Sequence, residues 1–484
     1  MRDETSIAAQ LPASVSRRSF LAWSAAVTSA ATLAACINEP APTRALASAT
    51  AGPTPSPTPG SATSAATPTP EPGSASPAPS TAGPNRRTLY RDAAIADGRS
   101  DELRLGVSVL VDGSTIRWIR PTDDEGDPGP RDGLEVVDAS GATIVPGMVD
   151  CHSHVTLPGG AHWIDRIDDA PSVLADVAER NGRLLTSAGV RWARDVGAPF
   201  VVDLVDGRTR GLSLGVRDRW ASRPDFPYIR AAGTWLDKRG TLPPAAHTVV
   251  ADDADELLAN ALGQLDDGAD FLKLYLDGPD PATSPWSAAE IQRVTDAAHG
   301  RGAKVTAHSG RISGARAGVD GGVDSIEHGF ELDADVAAEM ARRRTALVST
   351  LAVMRSWLTF GRTTSLPRFA TDDGRRTIEA RQERAIASVQ LARKAGVAIA
   401  AGTDFGGGSL RANQLAWEVE SLVAAGLEPW EALGAATWRG GELLGEPAAG
   451  VIVEGGPADF FLVHGDPLSE PAALWRVWRV AWTS

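Results

Sequence analysis

The chain has 484 residues, of which 43% are apolar and 22% are charged, as is ordinary for a globular protein. Its length suits one large domain together with a smaller one. The formal net charge is −14, and the acidic excess lies after residue 84, which argues against nucleic acid or an anionic lipid surface as a partner of the folded part.

The first 35 residues have the pattern of an export signal. Paired Arg17-Arg18 precede an apolar stretch of small residues that ends in "LAAC" at Cys36. The stretch resembles a twin-arginine signal, and its end resembles a lipobox. By that resemblance, the protein is exported and held on the cell membrane, outside the cytoplasm, by a lipid on Cys36. A plain signal peptide that contains a cysteine is the alternative.

Residues 36–84 predict a disordered tether. The segment "PTPSPTPGSATSAATPTPEPGSASPAPS" has almost nothing to bury, so it cannot offset the entropy cost of becoming ordered. The chain has two cysteines, and if Cys36 carries a lipid, Cys151 has no partner for an intrachain disulfide. The exported domain must then rely on a large apolar core for its stability.

Residues 85–145 and 445–484 predict a small β-sandwich domain built from both ends of the folded part. Short alternating runs with turn residues between them, such as "LRLGVSVLVDG", "STIRWIR", "GLEVVDASG" and "ATIVPG", are typical of β-strands. The same pattern returns after residue 444 in "AGVIVEGGPADFFLVHGDP". Because these two β-rich ends flank a segment in which strands alternate with helices, they favour one shared domain.

Residues 146–444 predict a parallel (β/α)8 barrel of the TIM type. Eight short apolar runs alternate with helical stretches such as "SAAEIQRVTDAAHGRG" and "RRTIEARQERAIASVQLARKAG", as α/β barrels require. In chain order the eight runs are "GMVDCH", "GVRWARDVG", "YIRAAG", "DFLKLYL", "AKVTAH", "VDSIEH", "TALVSTL" and "VAIAAGTD".

Unusual polar residues fall at or near the carboxyl ends of these predicted strands, the face where barrel enzymes have their active sites. They are His152 and His154 on the first strand, Lys273 on the fourth, His308 on the fifth, His328 on the sixth and Asp404 on the eighth. Because side chains alternate along a strand, the first two imidazoles share a face and can bind one divalent ion together. The histidines of the fifth and sixth strands can bind a second ion, and Asp404 would complete the first site.

Lys273 does not fit this set as a plain ammonium. Two neighbouring cations would repel it, and its position in an apolar strand makes the charge costly to bury. The residue makes sense if its amine has reacted with CO2, because the oxygens of the resulting carbamate could bridge both metals. A salt-bridged lysine beside a single metal is the alternative.

Several of these motifs also carry a family resemblance. They are "PGMVDCHSH", "RDVG", "FLKLY", "AAHGRGAKVTAH", "GVDSIEHG", "AGVAIAAGTDFG", "EALGAATWRGGELLG" and "GVIVEGGPADFFLVHGDPL", which are distributed from residue 146 to residue 468. In this order they resemble the metal-dependent amidohydrolase superfamily, in the subgroup similar to imidazolonepropionase and exported Xaa-Pro-type dipeptidases.

The resemblance implies a role for each ligand position. His152, His154 and Asp404 bind the first of two divalent ions, most often zinc. His308 and His328 bind the second, and a carboxylated Lys273 bridges the two. The same resemblance implies that a metal-activated bridging hydroxide attacks the substrate carbonyl while Asp404 handles the proton.

The expected activity is hydrolysis of an amide, peptide or ester-like bond in a small substrate, such as a dipeptide. Tyr275 and Arg311 lie next to ligand positions. The family often has a substrate-binding histidine after the third strand, and in this sequence that contact is either lost or moved to His247. These three residues are therefore predicted substrate contacts. Two alternatives stay open: a mononuclear cyclic amidohydrolase or deaminase, and a catalytically silent metal-binding lipoprotein on the cell surface.

Overall fold

The computed structural model describes residues 87–130, 132–203, 206–242 and 247–482. The predicted export signal, the lipid site at Cys36 and the tether over residues 36–84 lie outside the described residues. Within the described ranges, none of the helices combines the length and the apolar character that crossing a bilayer would require.

The structure combines an α/β part with parallel strands and a sheet from the two ends of the described chain. The strands, numbered in chain order, are β1 Arg87–Ile95, β2 Arg104–Asp112, β3 Thr115–Pro121, β4 Leu134–Asp138, β5 Ala142–Pro146, β6 Met148–Ser153, β7 Val190–Asp195, β8 Phe200–Val202, β9 Thr209–Gly211, β10 Tyr228–Ala231, β11 Trp235–Lys238, β12 Thr248–Ala251, β13 Phe271–Tyr275, β14 Lys304–Ser309, β15 Ser325–His328, β16 Ala346–Ser349, β17 Ile399–Ala401, β18 Phe460–His464 and β19 Val477–Val480.

The α-helices lie between the strands of the central part, with the longest before β17. They are α1 Pro171–Ser187, α2 Leu212–Trp220, α3 Ala254–Asp266, α4 Ala288–His299, α5 Ile312–Asp320, α6 Ala334–Arg343, α7 Ala352–Phe360, α8 Pro367–Ala370, α9 Asp372–Ala395, α10 Leu415–Ala424, α11 Pro429–Ala435 and α12 Trp438–Leu444. Both helical stretches quoted from the sequence are helices, α4 and α9. Ser287 and Glu290 form a capping box that starts α4, and Gly396, with φ of 79°, ends α9 in the left-handed region.

All eight apolar runs predicted as parallel strands are strands: β6, β7, β10, β13, β14, β15, β16 and β17. They pair in parallel in two sheets, ordered β10-β7-β6 and β12-β11-β13-β14-β15-β16-β17. The two sheets are joined on one side by a bond of 2.7 Å from Asp404 N to His152 O. On the other side Asp270 N donates to Ala231 O at 2.9 Å.

One seven-stranded sheet unites strands from both ends of the described chain, in the order β19-β18-β5-β1-β2-β3 with β4 beside β1. Its strand β18 has two apolar faces. Phe460 and Leu462 pack in a core within the sheet domain, whereas the alternate residues Phe461 and Val463 pack in the large core of the α/β part. The buried guanidinium of Arg191, on β7, adds an ion pair of 2.9 Å to Asp459. The terminal sheet is therefore packed against the α/β part, in which the predicted ligand residues lie at strand ends.

The structure contains four short strands that were not predicted from the sequence. The segment after β10, which the sequence left without strands, forms β11 and β12, and β11 pairs in parallel with β13. A small antiparallel hairpin of β8 and β9 follows β7. Each of these strands is only three or four residues long, too short for a clear strand pattern in the sequence.

Candidate metal centre

His152 and His154, at the carboxyl end of β6, present the same ring atom to one point. Their Nδ1 atoms point outward, at 2.6 Å from Glu327 Oε2 and 2.7 Å from the Gly197 carbonyl oxygen, respectively. Both partners accept hydrogen bonds, so each ring holds a proton on Nδ1 and leaves Nε2 as the nitrogen that can bind a metal ion. The two Nε2 atoms lie 3.5 Å and 3.3 Å from the same Asp404 oxygen.

These three side chains fit a divalent metal ion. Their ligand atoms all lie within 4.8 Å of one another, and all three residues are buried. Two imidazole nitrogens and a carboxylate oxygen are ligands that Zn2+ accepts. Burial alone would raise the pKa of Asp404, but hydrogen bonds from His152 and His154 hold that pKa well below its ordinary range. The carboxylate is therefore ionised and can neutralise part of a cation's charge.

The backbone at this site is unusual in two places. Asp404 has φ of 54° and His328 has φ of 69°, the left-handed region that residues other than glycine rarely occupy. Close packing accompanies this strain: a Cβ on Gly407 would lie 2.2 Å from the His154 ring, so only glycine fits there. Strained backbone of this kind is concentrated at functional sites.

His308 and His328, at the ends of β14 and β15, lie beside the first pair. The His328 ring centroid is 4.5 Å from that of His152 and 4.6 Å from that of His308. His328 Nδ1 is 2.9 Å from Thr350 Oγ1, and His308 Nε2 is 3.3 Å from Asp277 Oδ2. Each ring thus uses one nitrogen for a neighbour and has the other available for a ligand.

Lys273, on β13, is buried with 1% of its surface exposed. Among the described residues its Nζ has no hydrogen-bond partner. Burial lowers the pKa of this amine to about 8, although Glu327 raises it and Arg194 lowers it further. A buried amine without a partner, facing an anionic and imidazole-rich site, fits a residue that is modified or bound to another group when the protein is active.

Glu327 and Arg194 are site residues that the sequence analysis missed. Glu327 is fully buried and accepts hydrogen bonds from His152, Arg194 and Ser325. Burial would raise the pKa of Glu327, but the charges of Arg194 and Lys273 hold it well below its ordinary range. The signal was present in the charged residues of the quoted motifs "SIEHG" and "RDVG", where an ionisable group in an apolar strand needs a buried partner.

Three further buried acids accept hydrogen bonds that connect neighbouring strand ends. Asp195 accepts from Val155 N at 2.7 Å and Gly197 N at 3.1 Å, and burial raises the pKa of Asp195 to about 6. Asp150 joins the first and eighth strands because Thr403 Oγ1 donates to it at 2.6 Å. Asp277 accepts from Ser309 Oγ, at the end of β14, and from the backbone N atoms of Gly310 and Arg311, which follow it. None of these was predicted, because their partners are distant in the sequence.

The predicted substrate contacts lie beside the predicted ligands. Tyr275 stacks on His308 with ring centroids 4.3 Å apart. His247 meets Trp235 edge-on at 4.9 Å, and Trp235 in turn lies 5.5 Å from His154. Burial lowers the pKa of His247 to about 4, and the charge of His154 lowers it further. Trp235, on the unpredicted strand β11, is therefore an aromatic residue of this site that the sequence analysis missed.

Arg311 is buried and follows β14 by two residues. Its backbone N donates to Asp277 Oδ1 at 3.3 Å. Burial raises the pKa of Asp277, but the contacts with His308 and, to a smaller extent, the charge of Arg311 bring that pKa below its ordinary value. The structure thus brings Arg311 to the edge of the centre, next to the carboxylate that contacts His308.

Three comparisons with known proteins agree with this geometry. The sequence profile of the Amidohydrolase family matches residues 143–481. An uncharacterized protein of Mycobacterium tuberculosis is 32% identical over 343 residues, which cover 69% of this chain and 82% of that protein. Ochratoxinase of Aspergillus niger is 26% identical over 370 residues, which cover 69% of this chain and 74% of the enzyme.

A similar fold is found in the crystal structure of a Xaa-Pro dipeptidase with bound methionine in its active site. The two share 24% sequence identity with a TM-score of 0.68, over 81% of this chain and 98% of the dipeptidase chain. Fold neighbours of this kind imply a TIM barrel for the parallel strands. The matched region includes all six predicted ligand positions, from His152 to Asp404.

Proposed function

The chain belongs to the amidohydrolase family, and from this premise we propose that it is a metal-dependent hydrolase that cleaves an amide, peptide or ester-like bond in a small substrate. The family assignment confirms the amidohydrolase part of the resemblance on which the sequence prediction rested. The observation that carries the proposal is the convergence of His152, His154 and Asp404 on one point, with their ligand atoms within 4.8 Å of one another. Hydrolases among the relatives, such as ochratoxinase, support a reaction at a C–N bond.

We further propose that two divalent ions, zinc by preference, occupy this centre. His152, His154 and Asp404 would hold one, and His308 and His328 the other. When bound, such ions polarise a substrate carbonyl and lower the pKa of water toward neutrality. Three of the four ligand rings face an acceptor that fixes their tautomer, namely Glu327, the Gly197 carbonyl and Asp277, and this arrangement supports metal affinity.

The residues of the chain then have distinct tasks. Asp404 Oδ1 accepts the proton of the attacking water and returns it to the leaving nitrogen or oxygen. Glu327 and the Gly197 carbonyl hold the Nδ1 protons of His152 and His154 in place. Lys273 Nζ would react with CO2, forming an N–C bond and releasing a proton, and the carbamate oxygens would then help to hold the ions.

For the fold, we propose that the eight parallel strands close into a (β/α)8 barrel and that the terminal sheet is a β-sandwich. Bonds at both junctions of the two parallel sheets support closure. A bulge between Tyr90 and Ala93 supports the sandwich, because β1 pairs with β4 before it and with β5 after it.

For the substrate, we propose a small molecule with an amide bond, such as a dipeptide, in contact with Tyr275, His247 and Arg311. The names ochratoxinase and Xaa-Pro dipeptidase, given to similar proteins, support this class. Trp235 joins these candidates because its ring lies between His154 and His247.

A mononuclear centre is the second candidate. Among the described residues, His152, His154 and Asp404 form the three-residue group in which ligand atoms are close enough for one ion. A cyclic amidohydrolase or deaminase would need no more. Lys273 argues for two ions, because a mononuclear site gives its buried amine no partner.

The proposed function predicts hydrolysis by the purified full-length protein. The substrates to test are Xaa-Pro and other dipeptides, N-acyl amino acids, aryl amides and lactones. We expect turnover of at least one class, its loss after chelation, and its return when Zn2+ is added. Metal binding without any turnover would support the catalytically silent alternative, and deamination with one bound ion would support the mononuclear one.

We also propose that the protein is exported and anchored by a lipid on Cys36, which lies outside the described residues. The supporting pattern is the arginine pair, the "LAAC" ending and the tether. The wild-type protein should partition with membranes into detergent, and Cys36→Ser should release it or block its processing. A control variant, Cys151→Ser, leaves the signal intact and should not change the partition. Soluble cytoplasmic wild-type protein that keeps residues 1–35 would contradict the proposal.

A further inference from the structure

The His308 ring is held from two directions by residues of one short segment. Tyr275 stacks on the imidazole, with an interplanar angle of 15° and a centroid distance of 4.3 Å. At the edge of the ring, His308 Nε2 lies 3.3 Å from Asp277 Oδ2. All three residues are buried, so solvent does not compete effectively for these contacts.

The two contacts fix different properties of the ring. Stacking fixes the plane of the imidazole, but it is equally compatible with a flip of the ring by 180°. An ionised carboxylate only accepts hydrogen bonds, so Asp277 favours the flip state and the tautomer with the proton on Nε2. Nδ1 of His308 then keeps the lone pair that metal binding requires.

Asp277 is itself rigidly held. Gly310 N donates to its Oδ2 at 2.9 Å, and Ser309 Oγ and Arg311 N donate to its Oδ1 at 3.2 Å and 3.3 Å. Both oxygens therefore have a fixed position before any ligand binds. A carboxylate held in this way can orient an imidazole without losing side-chain freedom at the moment of binding.

We infer that Asp277 is a positioning residue that presents Nδ1 of His308 to a divalent ion. The inference rests on the proposed function, since it assigns Asp277 to the same centre. It goes beyond the ligand set, because Asp277 acts through the imidazole. The arrangement parallels that of His152, whose Nδ1 contacts Glu327.

The test compares Asp277→Asn with Asp280→Asn in the full-length, zinc-loaded protein. Asn keeps the size of Asp277 but weakens the acceptor that faces Nε2. Asp280→Asn makes the same chemical change at an exposed position three residues further along the chain. Each protein is dialysed against a graded chelator series, and bound zinc is measured. We expect one ion to leave Asp277→Asn at chelator concentrations lower by about 10–100-fold, and Asp280→Asn to match wild type.

A spectroscopic readout separates positioning from a loss of stability. With 15N-labelled histidine, His308 should carry its proton on Nε2 in wild type, and His308→Ala identifies the signal. Asp277→Asn should shift or broaden this resonance. Wild type that binds no ion would contradict the proposed function. Wild type that binds zinc, with an Asp277→Asn variant that keeps it as tightly and shows an unchanged His308 signal, would overturn the Asp277 inference alone.

Discussion

Asp404→Asn should lower kcat of the proposed hydrolysis by on the order of 10²–10⁴, the usual scale for a lost general acid or base. The carboxylate lies 3.3 Å from His154 Nε2 and 3.5 Å from His152 Nε2, so it is placed to act as a ligand and a proton acceptor at one point. Asn keeps the size of the side chain but neither the charge nor the basicity. Steady-state kinetics on the best substrate of the panel measure the effect.

The matched control for this variant is Asp335→Asn, which makes the same chemical change at an exposed position in the first turn of α6. It should keep wild-type kcat. Thermal unfolding of both variants checks that the left-handed backbone at residue 404 still forms, a conformation that Asn tolerates well. Near-normal turnover by a folded Asp404→Asn variant would remove Asp404 from the mechanism.

Lys273→Ala should lose both metal and activity, because the side chain that we propose as the bridge between the two ions is gone. The Nζ atom is buried, lacks a hydrogen-bond partner among the described residues and lies near the charges of Glu327 and Asp404. Elemental analysis should give fewer ions per chain than in wild type, and a short carboxylate such as formate should partly restore both properties by filling the gap.

Lys394→Ala serves as the control for loss of a lysine, because Lys394 is exposed in the last turn of α9. It should retain metal and turnover. Mass spectrometry under native conditions, or a crystal structure, should show a carbamate on Lys273 in wild type. An active Lys273→Ala variant with a full complement of metal, together with a plain amine in wild type, would favour the mononuclear alternative.

The sequence was informative about the site where the signal is local. His152 and His154 are two positions apart at the end of one strand. His308, His328 and Asp404 each end an apolar run, and Lys273 lies within one. Because parallel strands end at the same edge, placing these residues on strands was enough to predict that they meet. The apolar runs predicted eight of the ten described strands in the two parallel sheets, but not β11 and β12.

The sequence was silent where a partner is distant along the chain. Glu327 contacts His152 across 175 residues, and alternation would place it on the opposite face from His328. The left-handed backbone of His328 ends that alternation, and such a conformation cannot be read from a histidine. Trp235 was missed because β11 has only four residues and follows turn-rich sequence. Asp277 was missed because its partners lie on the next strand.

The most direct test of the central claim is a metal titration of the metal-depleted, full-length wild-type protein with its best substrate. Zn2+ is returned in fractions of an equivalent while hydrolysis is followed. The proposed centre predicts no turnover without metal and a rise that ends at two equivalents per chain. Full activity in the metal-depleted protein would contradict a metal-dependent hydrolase, and a rise that ends at one equivalent would contradict the binuclear centre.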